Sequence, residues 1–439
     1  MNYRIAGSIA MSLALTACAG PLTTPETGVH GCKIFLKEAA LGSTDGSTNP
    51  LVDVMRKAKV GRRASGGRAP ADELNMLILS GGGKYGAYGT GFLAGWTQAE
   101  TNGNATDDIL REKFDIVTGI STGAMFSSYT ALGNLAPASS AERKDNDDAA
   151  RQGYQRGDAD ILKSRGLVGS LKSNGLGDIR GRLDRLVDDM ARRVMGKLAA
   201  MPEGRAVLVG LVNLTNGKFY MADLVEIAKA DRPDCFREAI LGSSAVPVQF
   251  PPRFIDDHPY VDGGVRFGAV LGGLVAEAAR QSQDTAVSKV NVRVIVNGNL
   301  SANSPRRDPA GWPTGSSAAR CDHATLETIN ADCGPVRKKD NRLLALAQRA
   351  AQDIMVDQLY RDSVYRIYND LGRHGILGSA RFTYISNDEI EAQHCRFGSN
   401  DAFDRTFMDC LSGIGFAKGS SADRWRAFEN TPHVAGPGQ

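Results

Sequence analysis

Apolar residues along this chain alternate between two regimes. Short unbroken runs, "LNMLIL" at 74–79 and "VNVRVIV" at 290–296, end in glycine, as does the run from Phe114 to Val117. Runs of that length, bounded by turn residues, are the pattern of strands buried on both faces. Between them lie stretches with helical spacing. One runs through Trp96, one covers Ala124 to Leu132, and one carries Ile179, Leu183, Leu186, Val187, Met190, Val194 and Leu198 along a single face. That last stripe reads as core. Strand followed by helix, repeated, predicts an α/β fold with a mostly parallel central sheet between helical layers, a three-layer α/β/α core.

Smaller signals refine the order. "RAVLVGLVNLTNGKFYMADL" (205–224) reads as two strands about Asn216-Gly217, a hairpin turn pair. "CFREAILGSSAVPVQFPPRF" is a helix that stops before Pro247, and "YVDGGVRFG" follows it. A long helix is expected over much of 339–371, a late strand at "ARFTYISND" and a short helix near 401–412, with no internal repeat. Polar, charged sequence from about 137 to 178 reads as a surface insertion. Residues 18–72, rich in Gly, Ser, Thr, Pro and basic side chains, read as a flexible tether. The folded body is then expected over 73–415, and residues 416–439 as a tail.

Composition adds mainly exclusions. A net charge of +3 over 439 residues, with no basic stripe interleaved with aromatics, excludes nucleic acid as the expected partner. The first residues, "MNYRIAGSIAMSLALTACAG", combine Arg4, a short apolar core and a terminal "LTAC". Leu15 to Cys18 resembles the bacterial lipobox. That resemblance implies a signal peptide over 1–17, lipidation at Cys18 and a lipid-anchored place in the cell envelope, at the outer membrane given Ala19. Of the six other cysteines, Cys321 with Cys333 and Cys395 with Cys410 are the local disulfide pairings to expect in an exported chain. Their spacing offers no metal site.

Two stretches carry candidate chemistry. "GISTG" places Ser121 on the turn between a strand and a helix, flanked by Gly119 and Gly123, where a hydroxyl can be held up at the carboxyl end of a sheet. "SGGGKYG" places Gly81, Gly82 and Gly83 after a strand and Gly86 at a helix start, so that backbone amides can face a developing negative charge. It lacks the Gly-Lys-Ser/Thr of a nucleotide-binding loop, and no convincing acidic ribose ligand of a dinucleotide site follows about twenty residues on. Of the six histidines, at 30, 258, 323, 374, 394 and 433, none has a setting that aims it at the elbow. Asp262, before Gly263 and Gly264, is the better candidate for a base.

"SGGGKYG", "GISTG" and "DGG", with "ILGSSAVPVQFPP" before the aspartate, resemble in order and spacing the patatin-like phospholipases, over roughly 74–300. The resemblance implies a lipid acyl hydrolase working through a Ser–Asp dyad, with Ser121 the nucleophile and Asp262 the base. It further implies an oxyanion hole from the amides of Gly81, Gly82, Gly83 and Thr122, a lipid or acyl-ester substrate and no cofactor. Family members commonly carry a basic residue before the last glycine of the loop; here that position is Tyr85, and Lys84 precedes it. An esterase or thioesterase on small or protein-bound acyl groups is the alternative activity, and a catalytically silent lipid-binding lipoprotein the alternative class.

Overall fold

The structure is a computed structural model that describes residues 28–39, 49–64, 73–103, 110–111, 114–155, 163–164, 177–178, 180–247, 250–270, 272–281, 287–298, 300, 355–396 and 403–427. Its spine is a ten-stranded mixed sheet. In chain order the strands are β1 (Leu36–Glu38), β2 (Glu73–Leu79), β3 (Ile116–Ile120), β4 (Ala206–Asn213), β5 (Phe219–Asp223), β6 (Arg253–Ile255), β7 (His258–Asp262), β8 (Lys289–Val296), β9 (Leu377–Tyr384) and β10 (Arg426–Ala427). The spatial order is β1-β5-β4-β3-β2-β8-β9-β10, with β7 also on β4 and β6 on β7. The five central strands, β4, β3, β2, β8 and β9, run parallel, and the edges are antiparallel.

The apolar runs produce this sheet because successive side chains of each strand enter different cores. Leu77 and Leu79 face one side of the sheet, with Val117, Val209 and Ile295, while Met76 and Ile78 face the other, with Ile116, Leu208 and Val294. Helices α2 (Gly86–Thr101), α3 (Thr122–Leu135), α4 (Ala141–Gln155), α5 (Arg180–Ala199), α6 (Leu224–Lys229) and α7 (Pro233–Ser243) lie in sequence between these strands. They contribute Trp96, Phe126, Val187, Ile227 and Phe236 to the first core. The second core is closed by α1 (Pro50–Ala64), α8 (Gly272–Gln281) and α9 (Met355–Arg373), through Met55, Leu274 and Ile367. The layered α/β/α fold is therefore as the periodicity predicts, and the hairpin at Asn216-Gly217 joins β4 to β5.

Three expected boundaries move. Within the expected tether, Cys32 is bonded to Cys235 of α7, β1 pairs with β5, and α1 packs Leu51 and Met55 fully buried against the second core. Leu51, Val52, Val54, Met55 and Ala58 form that face, with Arg56 and Lys57 exposed on the outside. Residues 1–27, with Cys18, lie outside the described residues, as do Cys321 and Cys333.

The expected surface insertion contains α4, which is fastened to the body by buried charges. Asp147 takes Arg111 Nη1 and Nη2 at 2.8 and 2.9 Å and the Thr97 hydroxyl at 2.7 Å. Arg143 reaches Glu100 at 3.0 Å and the Ala136 carbonyl at 2.9 Å. Among the described residues, 163–164 and 177–178 form a separate two-stranded ladder.

At the carboxyl end, the expected tail begins inside α11 (Arg405–Ser420), which follows α10 (Asn387–Ala392). Beyond it, Arg424 is buried, Trp425 packs on Phe92 and Trp96 at 4.9 and 5.1 Å between ring centres, and β10 pairs with β9. Helix α11 lies against α2 with almost no side chain between them. A methyl at Gly91 or Gly95 would strike the Ser412 or Phe416 carbonyl, and one at Gly415 or Gly419 the Tyr88 or Phe92 carbonyl. The expected Cys395–Cys410 disulfide joins the end of α10 to α11.

Candidate active site

Strand β4 brings the candidate nucleophile and base together. Ile120 of β3 pairs with Gly210, and the next residue of β4, Leu211, pairs with Asp262 at the end of β7. Strand β5 takes the opposite edge of β4, so β3 and β7 meet end to end along this one edge and the residues leaving them emerge side by side at one level. Ser121 follows Ile120 directly and caps α3 with φ 54° and ψ −121°. For a residue with a Cβ that backbone is strained, by about 1–3 kcal/mol. Its persistence requires the surroundings to impose it. The flanking glycines let them do so, since a side chain at Gly119 would meet the Gly123 carbonyl, and one at Gly123 the Leu79 and Ser80 carbonyls.

Asp262 is almost fully buried. Its Oδ1 accepts the Gly264 amide at 2.7 Å. Oδ2 has no hydrogen-bond partner of regular geometry among the described residues, although the Ser121 hydroxyl is near enough to favour the charged form. The poor alignment is compatible with a base that engages its partner only when substrate is in place. Burial pushes the carboxyl from its ordinary 3.8 up to about 7, against the smaller opposing pulls of Ser121 and Gly264. A carboxylate tuned to that range can hold and return a proton near neutrality.

The glycine loop is held under Ser121 by Ser80 and Asn297. The Asn297 amide donates to Ser80 Oγ and its side-chain amide to the Ser80 carbonyl, both at 2.8 Å. Gly82 has φ 151°, and any side chain there would run into the Asn297 carbonyl. One expectation fails. The Gly81 amide donates to the Gly268 carbonyl at 3.1 Å and is not available to an oxyanion. Among the described residues no hydrogen bond takes the Gly82 or Gly83 amide, whereas Thr122 is tied to the loop through its hydroxyl, 2.9 Å from the Gly83 carbonyl. Gly86 opens α2 as expected. Lys84 is buried, its ammonium 5.7 Å from the Tyr85 ring centre and 5.4 Å from that of Phe407, which fixes the unusual basic position against α11. Gly263 fits beneath the site because a side chain there would meet the Gly210 carbonyl at 2.5 Å.

Ser121 opens into a cavity of about 180 Å³, lined mainly by apolar side chains. Met125 and Tyr129 of α3, Val187 and Met190 of α5, and Phe250 and Met408 shape its walls. The stripe on α5 is thus shared, since Val194 and Leu198 serve the core, Leu183 and Leu186 line the cavity, and Val187 and Met190 do both. Periodicity identifies such a face without distinguishing a protein neighbour from an acyl chain. Among the described residues no histidine lines the cavity or appears among the influences on Asp262. His30 instead sits beside Asp256 and Asp257, and His323 and His433 are outside the described residues.

Two neighbouring serines carry more of the site than their place in "ILGSSAVPVQFPP" suggests. Ser243 Oγ accepts the Ser121 amide at 3.1 Å, and the Ser244 hydroxyl donates to the Ser121 carbonyl at 3.2 Å.

Residues 77–272 match the family model described as patatin-like phospholipase. Among solved structures the chain is similar to VipD from Legionella pneumophila, at 12% identity and a TM-score of 0.23, over 70% of this chain and 68% of that one. No curated protein sequence matches it. The elbow serine, the glycine loop and the aspartate that β4 gathers all fall inside the span, residues 77–272, that matches the patatin-like phospholipase model.

Proposed function

We propose that the protein hydrolyses ester-linked fatty acids from lipids through a Ser121–Asp262 dyad and an acyl-enzyme. The observation that carries this reading is the placement of a strained, elbow-borne Ser121 at the foot of an apolar cavity, beside a buried carboxyl whose pKa is about 7. The acyl chain would enter the cavity between α3 and α5. Ser121 Oγ would attack the ester carbonyl while its proton passes to Asp262 Oδ2. The Gly82 and Gly83 amides would take the charge that develops on the carbonyl oxygen. Asp262 would return the proton to the departing alcohol, then draw one from the water that attacks the acyl-enzyme and deliver it to Ser121 Oγ as the Oγ–acyl bond breaks, releasing the fatty acid and free Ser121.

Labelling with a fluorophosphonate, with mass analysis of products from a total lipid extract, tests the reading. Labelling at Ser121 with release of free fatty acid is expected; labelling without lipid turnover would overturn the lipid assignment.

The reading also fixes a pH dependence. Only ionised Asp262 can accept the proton, so kcat/KM should fall below an apparent pKa near 7, about tenfold for each unit at lower pH. A profile flat down to pH 5 would remove Asp262 from the role of base.

The lipobox resemblance at Cys18 supports a membrane-tethered enzyme. Cys18→Ser should leave the membrane fraction and lose metabolic labelling by palmitate. Continued labelling would refute lipidation there.

A further inference from the structure

Beyond the bonds from α3 to the Ser121 carbonyl and from the Gly264 amide to Asp262, three polar groups that fix the dyad come from one tripeptide at the end of α7. The Ser243 side chain is fully buried. Its hydroxyl accepts the Ser121 amide at 3.1 Å and donates to the Gly210 carbonyl at 2.6 Å. Ser244 holds the Ser121 carbonyl from the other side at 3.2 Å. The next residue, Ala245, accepts the Asp262 amide through its carbonyl at 3.0 Å. Both backbone ends of the strained nucleophile and the amide of the base are thus held by three consecutive residues.

The support for this tripeptide is itself fixed. Helix α7 begins at the Cys32–Cys235 disulfide, and midway along it Glu238 is gripped by Arg253 through two contacts of 2.7 Å. Arg253 belongs to β6, the hairpin partner of the strand that carries Asp262.

We propose that Ser243, Ser244 and Ala245 form a positioning clamp that sets the register of nucleophile against base. This deepens the hydrolase reading and rests on it. The clamp touches no reacting atom. It acts by holding Ser121 in a backbone conformation that it would otherwise leave. A further consequence is that the Ser121 amide is spoken for and is not an oxyanion donor. Ser243→Ala removes the acceptor of the Ser121 amide and the donor to Gly210 at once, and a nucleophile displaced by a fraction of an ångström loses rate without losing substrate affinity.

The test compares wild type, Ser243→Ala, Ser244→Ala and Ser127→Ala. Ser127 is a buried hydroxyl on α3 whose one bond among the described residues is within its own helix, donating to the Ala124 carbonyl at 2.9 Å, and it controls for loss of stability. Active sites are counted by fluorophosphonate labelling, and kcat and KM are measured on a soluble acyl ester. Ser243→Ala should lower kcat per labelled site by about tenfold or more with KM within about twofold, and Ser244→Ala should lower kcat by a smaller factor in the same pattern. Ser127→Ala should hold kcat per site within about twofold. If Ser243→Ala cannot be obtained folded, Ser244→Ala decides by the same split.

A kcat per site unchanged in the decisive serine variant, or a loss confined to KM, would overturn the clamp while leaving the hydrolase reading intact. A wild-type protein that neither labels nor turns over ester would overturn the hydrolase reading and the clamp with it.

Discussion

Ser121→Ala, Asp262→Asn and the double variant are expected to lose ester hydrolysis to the same extent, on the order of 10³-fold or more. Groups that share one proton transfer do not contribute independently. The histidines that follow the aspartate in the chain supply the contrast. His374→Asn and His394→Asn, on residues that line no part of the cavity, should keep most activity.

Asp262→Asn has a second signature that separates it from a folding defect. The folded-state pKa lies near 7, above the ordinary 3.8, so the native state binds the proton more tightly than the unfolded chain does. The stability gained from that proton is fully present below about pH 4 and is lost as pH rises through 7. At pH 8 the wild type therefore carries the burden of a buried, poorly partnered charge. Asparagine lacks that charge, so the inactive variant should melt higher than wild type at pH 8, by an amount corresponding to at most about 4 kcal/mol. The difference should shrink at pH 5. Melting curves at the two pH values check this, and a variant that melts lower at both would mean that the carboxylate is structurally required.

The second large effect concerns α4. Asp147→Ala leaves the Arg111 guanidinium buried with its main counter-charge removed, and breaking one side of such a pair costs about 3–5 kcal/mol. The exposed neighbour Asp148, which faces Lys144 at 2.6 Å, is the control, and its replacement by Ala should cost at most about 1 kcal/mol. Because Ala149, Ala150 and Gln152 of α4 line the cavity, the loss should extend beyond stability. Asp147→Ala is expected to raise KM for long-chain esters more than for short ones. Denaturation midpoints for both variants, with chain-length profiles, test the two halves of this expectation. Equal stability losses at 147 and 148 would refute it.

What was legible in the sequence follows from which interactions are local. The buried strands, the Asn216-Gly217 hairpin, the elbow at Ser121 and the glycine loop each depend on residues within a few positions of one another, and all lie where their patterns place them. The folded status of 28–39 and 49–64 was hidden because it depends on partners far along the chain, Cys235 and Ala222 among them. Charge misled at 141–155, where the polar sequence conceals two ion pairs facing inward. The Gly81 amide shows the same limit at the site, since its acceptor is Gly268, a residue no local pattern connects to the loop. Ser243 is similar, as a serine at a helix end carries no sign of the backbone that it will grip.

The glycine seam between α2 and α11 has a consequence for the order in which the protein is made. Ser420 of α11 donates to the Gly95 carbonyl across 325 positions of chain, and Trp425 meets Trp96 edge to face. During synthesis, α2 and the loop that precedes it leave the ribosome long before the helix that covers them. Until then the surface that will receive Gly415 and Gly419 is bare backbone and aromatic carbon. Until α11 has been translated, the chain lacks the Phe407 ring that lies beside Lys84 of the glycine loop and the Met408 wall of the cavity, so the candidate site is completed only after that helix is made.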